Sequence, residues 1–311
     1  MTQLIQFPQN CVKRLLIFLI IAFSCFSIFA AAPFPLHAAG VVSTCDETHL
    51  RAALAGGGTV SFGCSGVITL TQTIEIAPNL PVAIEGSGQA VTLSGNQETP
   101  VFYVPETAKL TLLNLTIADG VMVPLGGGIL NRGAVTVTNS TFTNNWAYGG
   151  GAIANTGTLL VQNSTFALNT ADGGGFNSSG GGGILNYQGV VTITNSTFTD
   201  NVCVDDIGGA LYNVAGTVRV TNVTLAGNRA TAGGSIANAG TLVVQNSLVT
   251  NSPAGGNCSG TLAAASTHNL SDDDTCGASF VQVDAATINL GALAQRWPNR
   301  YHRLERGQRR H

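Results

Sequence analysis

The sequence predicts an all-β chain, a single-stranded parallel β-helix (β-solenoid) of about ten coils, which at ~4.8 Å per coil extends roughly 50 Å. Two recurring phrases and one compositional fact carry the prediction. TNSTFTNN (Thr138 to Asn145) returns as QNSTFALN, TNSTFTDN, TNVTLAGN and QNSLVTNS, the last ending at Ser252. A Gly-Gly signature such as GGGILN or GGAIAN ends at Asn131, Asn155, Asn186, Asn213 and Asn238. Charged residues are only 9% of the chain, against roughly 25% in ordinary soluble proteins, and Gly, Asn, Ser and Thr fill the gap.

The copies align on an Asn: Asn114, Asn139, Asn163, Asn195, Asn222 and Asn246, with intervals of 25, 24, 32, 27 and 24 residues. Two and four residues before each Asn stands an apolar residue, as in Leu110/Leu112, Val135/Val137 and Leu159/Val161. This alternation is that of a strand with one wet face. Three residues after each Asn comes another apolar residue: Ile117, Phe142, Phe166, Phe198, Leu225 and Val249. An offset of three breaks the two-residue parity, so the chain must bend at the Asn, which tolerates left-handed backbone. Each unit therefore holds about three short strands and almost no helix signal, and units must stack to bury their apolar faces. In such a stack Asn lies above Asn. The six alignment Asn are expected to form an interior hydrogen-bonded ladder. A disordered low-complexity tract or a multi-hairpin sheet would not hold the inward positions in register through every copy.

Residues 40–290 carry 15 acids and 5 bases, whereas residues 291–311 carry six Arg and one Glu. An acidic body argues against nucleic acid as a partner class. Lys13 and Arg14 precede a long apolar run and then small residues at Ala30–Ala32 and Ala38–Ala39. Residues 1–39 read as a cleaved signal peptide, with an uncleaved anchor as the alternative. Export makes disulfides possible. Pairing Cys45 with Cys64 and Cys258 with Cys276 leaves Cys203 free; the competing reading keeps all of them reduced.

The paired signatures Gly-Gly-Ala-Ile and Phe-x-x-Asn, closest in GGAIAN (Gly150–Asn155) with FALN (Phe166–Asn169), resemble the polymorphic outer membrane protein repeat. FTNN and FTDN match as well, whereas LAGN carries Leu225, and the last copy has Val249 and Ser252 at the motif positions. The resemblance covers residues 126–252. It implies a right-handed parallel β-helix of pectate-lyase-like fold on a secreted or cell-surface (outer membrane) protein, of a kind often discussed as adhesins.

Chemistry is expected in the inserts between Phe-x-x-Asn and Gly-Gly, which emerge on one edge. They bring Trp146, Tyr148, Asp172, Phe176, Asp205, Asp206 and Arg229 together. Trp146, Tyr148 and Phe176 are the candidate binding residues for a surface glycan or protein, or else cover for solvated turns. Parallel β-helices also include polysaccharide lyases and hydrolases. Asp172 and Asp205, one coil apart, could supply two carboxylates, with Arg132 or Arg219 as the polarising cation. No run typical of polygalacturonases is present, and His49 and His268 stand alone. No cofactor is expected. SDDDT (Ser271–Thr275) gathers carboxylates but lacks calcium-loop spacing. Several alignment Asn begin glycosylation sequons, which a bend Asn before a Ser/Thr strand creates automatically; an inward Asn could carry no glycan.

The tail, 291–311, is expected to be disordered. From about Gln295 it reads as a frameshift product: with GC-rich codons such as CAG-CGG-TGG-CCC-AAC-CGA for QRWPNR, of which only the Trp297 codon is fixed, reading one nucleotide later gives Ser-Gly-Gly-Pro-Thr, the segment that follows LGAL in similar arrays. A C-terminal anchor would then be missing, leaving the membrane as a partner only through the signal segment.

Overall fold

The phrase Thr138–Asn145 shows how one coil is built. Thr138 ends a strand, Ala134–Thr138. Asn139 takes φ 49°, the left-handed region, and the chain turns. Ser140 then points inward, 2% exposed; its hydroxyl donates to Thr138 O at 2.9 Å and accepts from Leu115 N–H of the preceding coil at 3.3 Å. The next strand, Thr141–Thr143, buries Phe142 completely. Asn144 (φ 54°) turns the chain again, and Asn145 points inward with no exposure.

In this computed structural model, which describes residues 38–173 and 179–288, such coils stack into four parallel sheets. The first sheet has nine strands, among them Lys109–Leu113, Ala134–Thr138 and Thr158–Gln162. The second has ten, including Thr141–Thr143 and Thr165–Ala167; the third has eight, including Phe102–Val104 and Ile129–Asn131. Eight strands in the third sheet mean about eight complete turns, fewer than the ten expected. A fourth, insert sheet of four strands lies between second and third in chain order, so several coils hold four strands rather than three. Register is kept throughout: Phe142 pairs with Phe166, and Phe166 with Phe198. Their rings stack at 4.8 and 4.7 Å between centroids. The Gly-Gly signature is explained by crowding, since a Cβ on Gly182 would run into Gly209 O and Val202 O.

The Asn ladder belongs to other residues than those expected. Asn139, Asn163, Asn195, Asn222 and Asn246 are exposed and Asn114 is half-buried, all with φ between 49° and 56°. They make the bend, and a left-handed residue at a corner throws its side chain outward. Among them Asn222 reaches Asn195 at 3.1 Å, while Asn114 donates to Glu85. The objection that these sequon residues point inward therefore falls. The interior ladder is Asn145–Asn169–Asn201–Asn228, the Asn of Phe-x-x-Asn, linked amide to amide at 2.9 Å. A second ladder runs through Asn131, Asn155, Asn186, Asn213 and Asn238, the Asn of the Gly-Gly signature. Both put a buried donor opposite a buried acceptor between the coils they span, which is how an interior amide is tolerated, and only the terminal Asn131 Oδ1 is left without a partner in them.

The residue before each Asn of the first ladder is left-handed, Asn144, Leu168, Asp200 and Gly227, and so are Asp119 and Asn251 at the equivalent positions of the flanking coils, before Gly120 and Ser252. Five of these six residues, Asp, Asn or Gly, adopt that region readily, and Leu168 (φ 61°) does not. Leu168 is half-buried. We expect Leu168→Asn to raise stability by about 1 kcal/mol. A urea midpoint lower than that of the native chain would show that the packing of Leu168 outweighs its backbone strain.

Among the described residues one α-helix, α1 (Glu47–Leu54), closes the start of the stack, in a chain whose repeat units gave almost no helix signal. Asp46 caps it by accepting from His49 N–H at 2.9 Å and faces the His49 ring at 2.8 Å. His49 is thus a cap partner. Leu50 and Ala53 bury one face in the core. Bonds between Cys45 and Cys64 and between Cys258 and Cys276 fasten the two ends, and Cys203 is free and buried. The first strand begins at Ala38, so nearly all of the expected signal peptide lies outside the described residues, as does the Arg-rich tail with its frameshift.

Candidate functional site

The inserts do more than emerge on one edge. Val121–Leu125, Trp146–Gly149, Thr170–Ala171 and Val202–Cys203 pair in parallel, with Val121, Trp146, Thr170 and Val202 in one register row. Strand alternation then decides which side chains are presented. Ala147, Ala171 and Cys203 point inward and are buried, the last two in a cluster with Ala230. Trp146 and Tyr148 are half-buried, their rings edge to face at 5.5 Å. Val123 and Val204 are exposed. Leu125 and Ile207 fold over the third sheet, where they pack on Leu185, Tyr212 and Ala237. The outer face of the insert sheet is therefore an apolar, aromatic strip fixed to two cores. Phe176, the third expected binding residue, lies outside the described residues.

Three acids gather beside this strip. Asp205 and Asp206 place their Cβ atoms 3.4 and 3.6 Å from the point where Gly173 would carry a side chain, next to Asp172. Burial, and then the charge of Asp206, push the Cys203 thiol up to about 12, with Asp205 and Asp172 adding to it. That leaves the thiol protonated and unreactive at neutral pH. Burial also raises the Asp206 carboxyl, although the Ser179 hydroxyl donates to it at 3.1 Å.

Arg219 does not join them. It is exposed on the first sheet, between Thr192 and Val243, with a second-sheet strand and its bends separating it from the inserts. An outward position on one sheet cannot reach the edge of another across the core. Asp172, Asp205 and Arg219 therefore do not make one constellation. Arg229 pairs with Val202 through the backbone at the edge of the insert sheet, and its side chain forms no ion pair with a described acid.

The acidic turn SDDDT is a structural cap. Asp272 accepts from Thr250 Oγ1 at 2.9 Å, Asn251 N–H at 2.8 Å and the Asn257 amide; Asp273 accepts from Asn257 N–H at 2.8 Å and Thr275 Oγ1 at 2.6 Å. Among the described residues no group of three or more His, Cys, Asp or Glu is placed to hold a metal ion. Burial works to raise the Asp272 carboxyl, but the donors from Asn251, Asn257 and Thr250 outweigh it and hold it below the usual carboxylate range. A carboxyl with a depressed folded value stabilises the fold above its unfolded value, near 3.9. That stability is lost as pH falls through the folded value. We expect Asp272→Ala to cost about 1–2 kcal/mol at pH 7, its partial exposure limiting the effect. The deficit should shrink on approaching pH 3. Urea melts at both pH values read this, and equal deficits at the two would assign the loss to packing.

Sequence reading named Arg132 but missed the site around it. A groove of about 350 Å³ opens beside the first insert strand, lined by Glu75, Pro100, Tyr103, Met122, Leu130 and Arg132. Its floor is the outward row of the third sheet, where Glu75, Tyr103 and Leu130 stand in register. Further along, the same row is Ala154, Leu185, Tyr212 and Ala237 and is roofed by the inserts. The legible signal was that row, one residue before the second Asn ladder.

No curated protein and no solved structure matches the chain. A family model described as a right handed beta helix region matches residues 82–271, more than half of the chain. The match covers most of the stacked coils, the insert sheet and most of the groove, and the chain belongs to the right-handed β-helix family.

Proposed function

We propose that this protein is an exported, non-catalytic binding scaffold, secreted or held at the cell surface or outer membrane, and that its insert sheet engages a glycan or protein. The observation that carries this reading is the Trp146–Tyr148 pair, held edge to face on an outward strip with exposed Val123 and Val204. Aromatic residues fixed in a rigid strand lose little freedom on binding, and aromatic anchors dominate binding energy. The resemblance to polymorphic outer membrane protein repeats supports the location, and the acidic body argues against nucleic acid. Among its described lining residues the groove carries one carboxylate, Glu75, where a glycosidase uses two, which supports recognition over cleavage.

The test is a glycan array and a cell-binding assay with the full chain and the double variant Trp146→Ala/Tyr148→Ala. Binding should fall at least tenfold with an unchanged melting midpoint, as for loss of aromatic anchors. Asp172→Asn/Asp205→Asn should bind as the native chain does. Release of unsaturated or reducing-end sugar by the native chain, abolished in the Asp double variant, would replace the scaffold by an enzyme.

A further inference from the structure

We infer that the bend column between the first and second sheets is a modification site, at which Asn139, Asn163 and Asn195 accept a sugar on the amide nitrogen. This rests on the reading that the chain is exported and goes beyond its binding role. Each of the three begins an Asn-Ser-Thr acceptor motif, completed by Thr141, Thr165 and Thr197. The motif alone is weak, because a bend before a Thr strand writes it automatically; position in the stack decides which copies are usable. The three Asn hold φ of 49°, 50° and 50° and are exposed at the corner. None of their amide nitrogens donates to a described residue. The Ser between turns inward, 2–4% exposed, and leaves amide and Thr hydroxyl outside together. Those hydroxyls also make no hydrogen bond to a described residue. The fold does not call for a hydroxyl in that row, since Val67 begins it and Leu248, Leu270 and Val281 end it.

The other copies each lack something. Asn222 already donates to Asn195 at 3.1 Å, and half-buried Asn114 to Glu85 and Ser87, both at 2.7 Å. Asn246 is exposed with the same bend, φ 50°, but Leu248 stands where the hydroxyl is required. Asn257 and Asn269 begin motifs ending at Ser259 and Ser271, yet both are fully buried. Their amides donate to Val249 O at 3.1 Å and Val244 O at 2.8 Å, so a sugar there would open the core. The donor is a sugar carried on a diphosphate, brought by a glycosyltransferase of the cell. Asn Nδ2 attacks its C1: the N–C1 bond forms, the C1–O bond to phosphate breaks, and the diphosphate leaves with the electron pair. The nitrogen gives one proton to a base of the transferase and keeps the other. Successive bends stand about 4.8 Å apart, so a sugar on one crowds the next and the three need not fill together. A chain with only 9% charged residues gains a hydrated flank this way. The second sheet separates this column from the inserts, which leaves Trp146 and Tyr148 open.

The experiment is electron-transfer fragmentation mass spectrometry, which keeps sugars on the peptide, of the full chain isolated from its own cells. A sugar-mass increment should appear on at least one of Asn139, Asn163 and Asn195, with Asn246, Asn257 and Asn269 bare. Thr141→Val/Thr165→Val/Thr197→Val keeps every Asn and nearly the same side-chain shape. Expressed in those cells, it should lose the increments at an unchanged melting midpoint, and Thr→Ser at the same three positions should retain them. The inference is overturned if the three Asn are bare, if the increments survive Thr→Val, or if Asn246, Asn257 or Asn269 carries sugar as often as the three do. The same spectra read the N-terminus. Bare Asn with residues 1–39 removed overturns this inference alone, and bare Asn with that segment retained overturns it together with export.

Discussion

Phe166→Ala is expected to cost about 3–5 kcal/mol, the range for a buried Phe, and to lower the melting midpoint by about 10 °C or more. Phe166 is fully buried and is the middle ring of a stack, 4.8 Å from Phe142 and 4.7 Å from Phe198 with planes within 2° and 7°. Truncation leaves a cavity bordered by both neighbours, and each loses a stacking partner. In a solenoid, stability is a sum over coils and the interfaces between them, so a central coil weakens two interfaces at once. The same column holds Ile117 and Leu225 without a ring. Phe166→Leu should therefore cost under about 1.5 kcal/mol, since the site accepts an aliphatic of near volume. A melting midpoint unchanged in Phe166→Ala would refute the inward stack, whatever the Leu variant does.

What the sequence showed, it showed through spacing. Val135, Val137 and Phe142 recur at fixed offsets because each must land on the same interior point of every coil. A parity break of three residues located the bend at Asn139, and φ of 49° is that bend. The same reasoning misplaced the ladder because two physical roles call for Asn. One role needs a residue that tolerates left-handed backbone, and the other needs a buried amide that donates and accepts along the stack. Repetition alone does not separate them. The next residue does: Ser140, Ser164 and Ser196 follow the bend Asn and turn inward, so the bend Asn cannot. Helix α1 was legible in Asp46 as a cap and Arg51 four residues after Glu47, a local signal outside the repeat.

The site was harder to read because its residues belong to no repeat. Trp146 and Tyr148 were visible as aromatics in an insert, but their pairing into a sheet depends on neighbouring coils of matching length. Tyr103 and Arg132 are 29 positions apart in sequence, yet they meet because one third-sheet strand lies beside the next. Arg219 looked equivalent to Arg132 as a lone cation in a strand region. Its register on the first sheet, outward and away from the inserts, is a property of the coil geometry.

The second large effect is expected at Asn169, which has no exposure and uses its whole amide. Its Nδ2 donates to Phe142 O at 3.0 Å and to Asn201 Oδ1 at 2.9 Å. Its Oδ1 accepts from Asn145 N–H at 3.2 Å and Asn145 Nδ2 at 2.9 Å. Asn169→Leu has nearly the right volume but leaves Asn145 N–H and one Asn145 amide hydrogen buried without partners and removes the side-chain donor to Phe142 O. At about 1–3 kcal/mol for each orphaned group, combined less than additively, the variant should lose about 3–5 kcal/mol. Asn169→Asp separates the ladder from packing, because its shape is conserved and its second oxygen faces two acceptors, Phe142 O and Asn201 Oδ1. A charged carboxylate is disfavoured there and the protonated form can donate, so the folded value of that Asp must rise above its unfolded one. The stability contributed by such a group is present below the unfolded value, near 3.9, and is lost as pH rises through the folded value. Asn169→Asp should therefore approach the native chain near pH 3 and fall well below it at pH 7. Urea melts of both chains across that range decide the matter: a deficit for Asn169→Asp that does not change with pH means the amide column does not carry the load assigned to it.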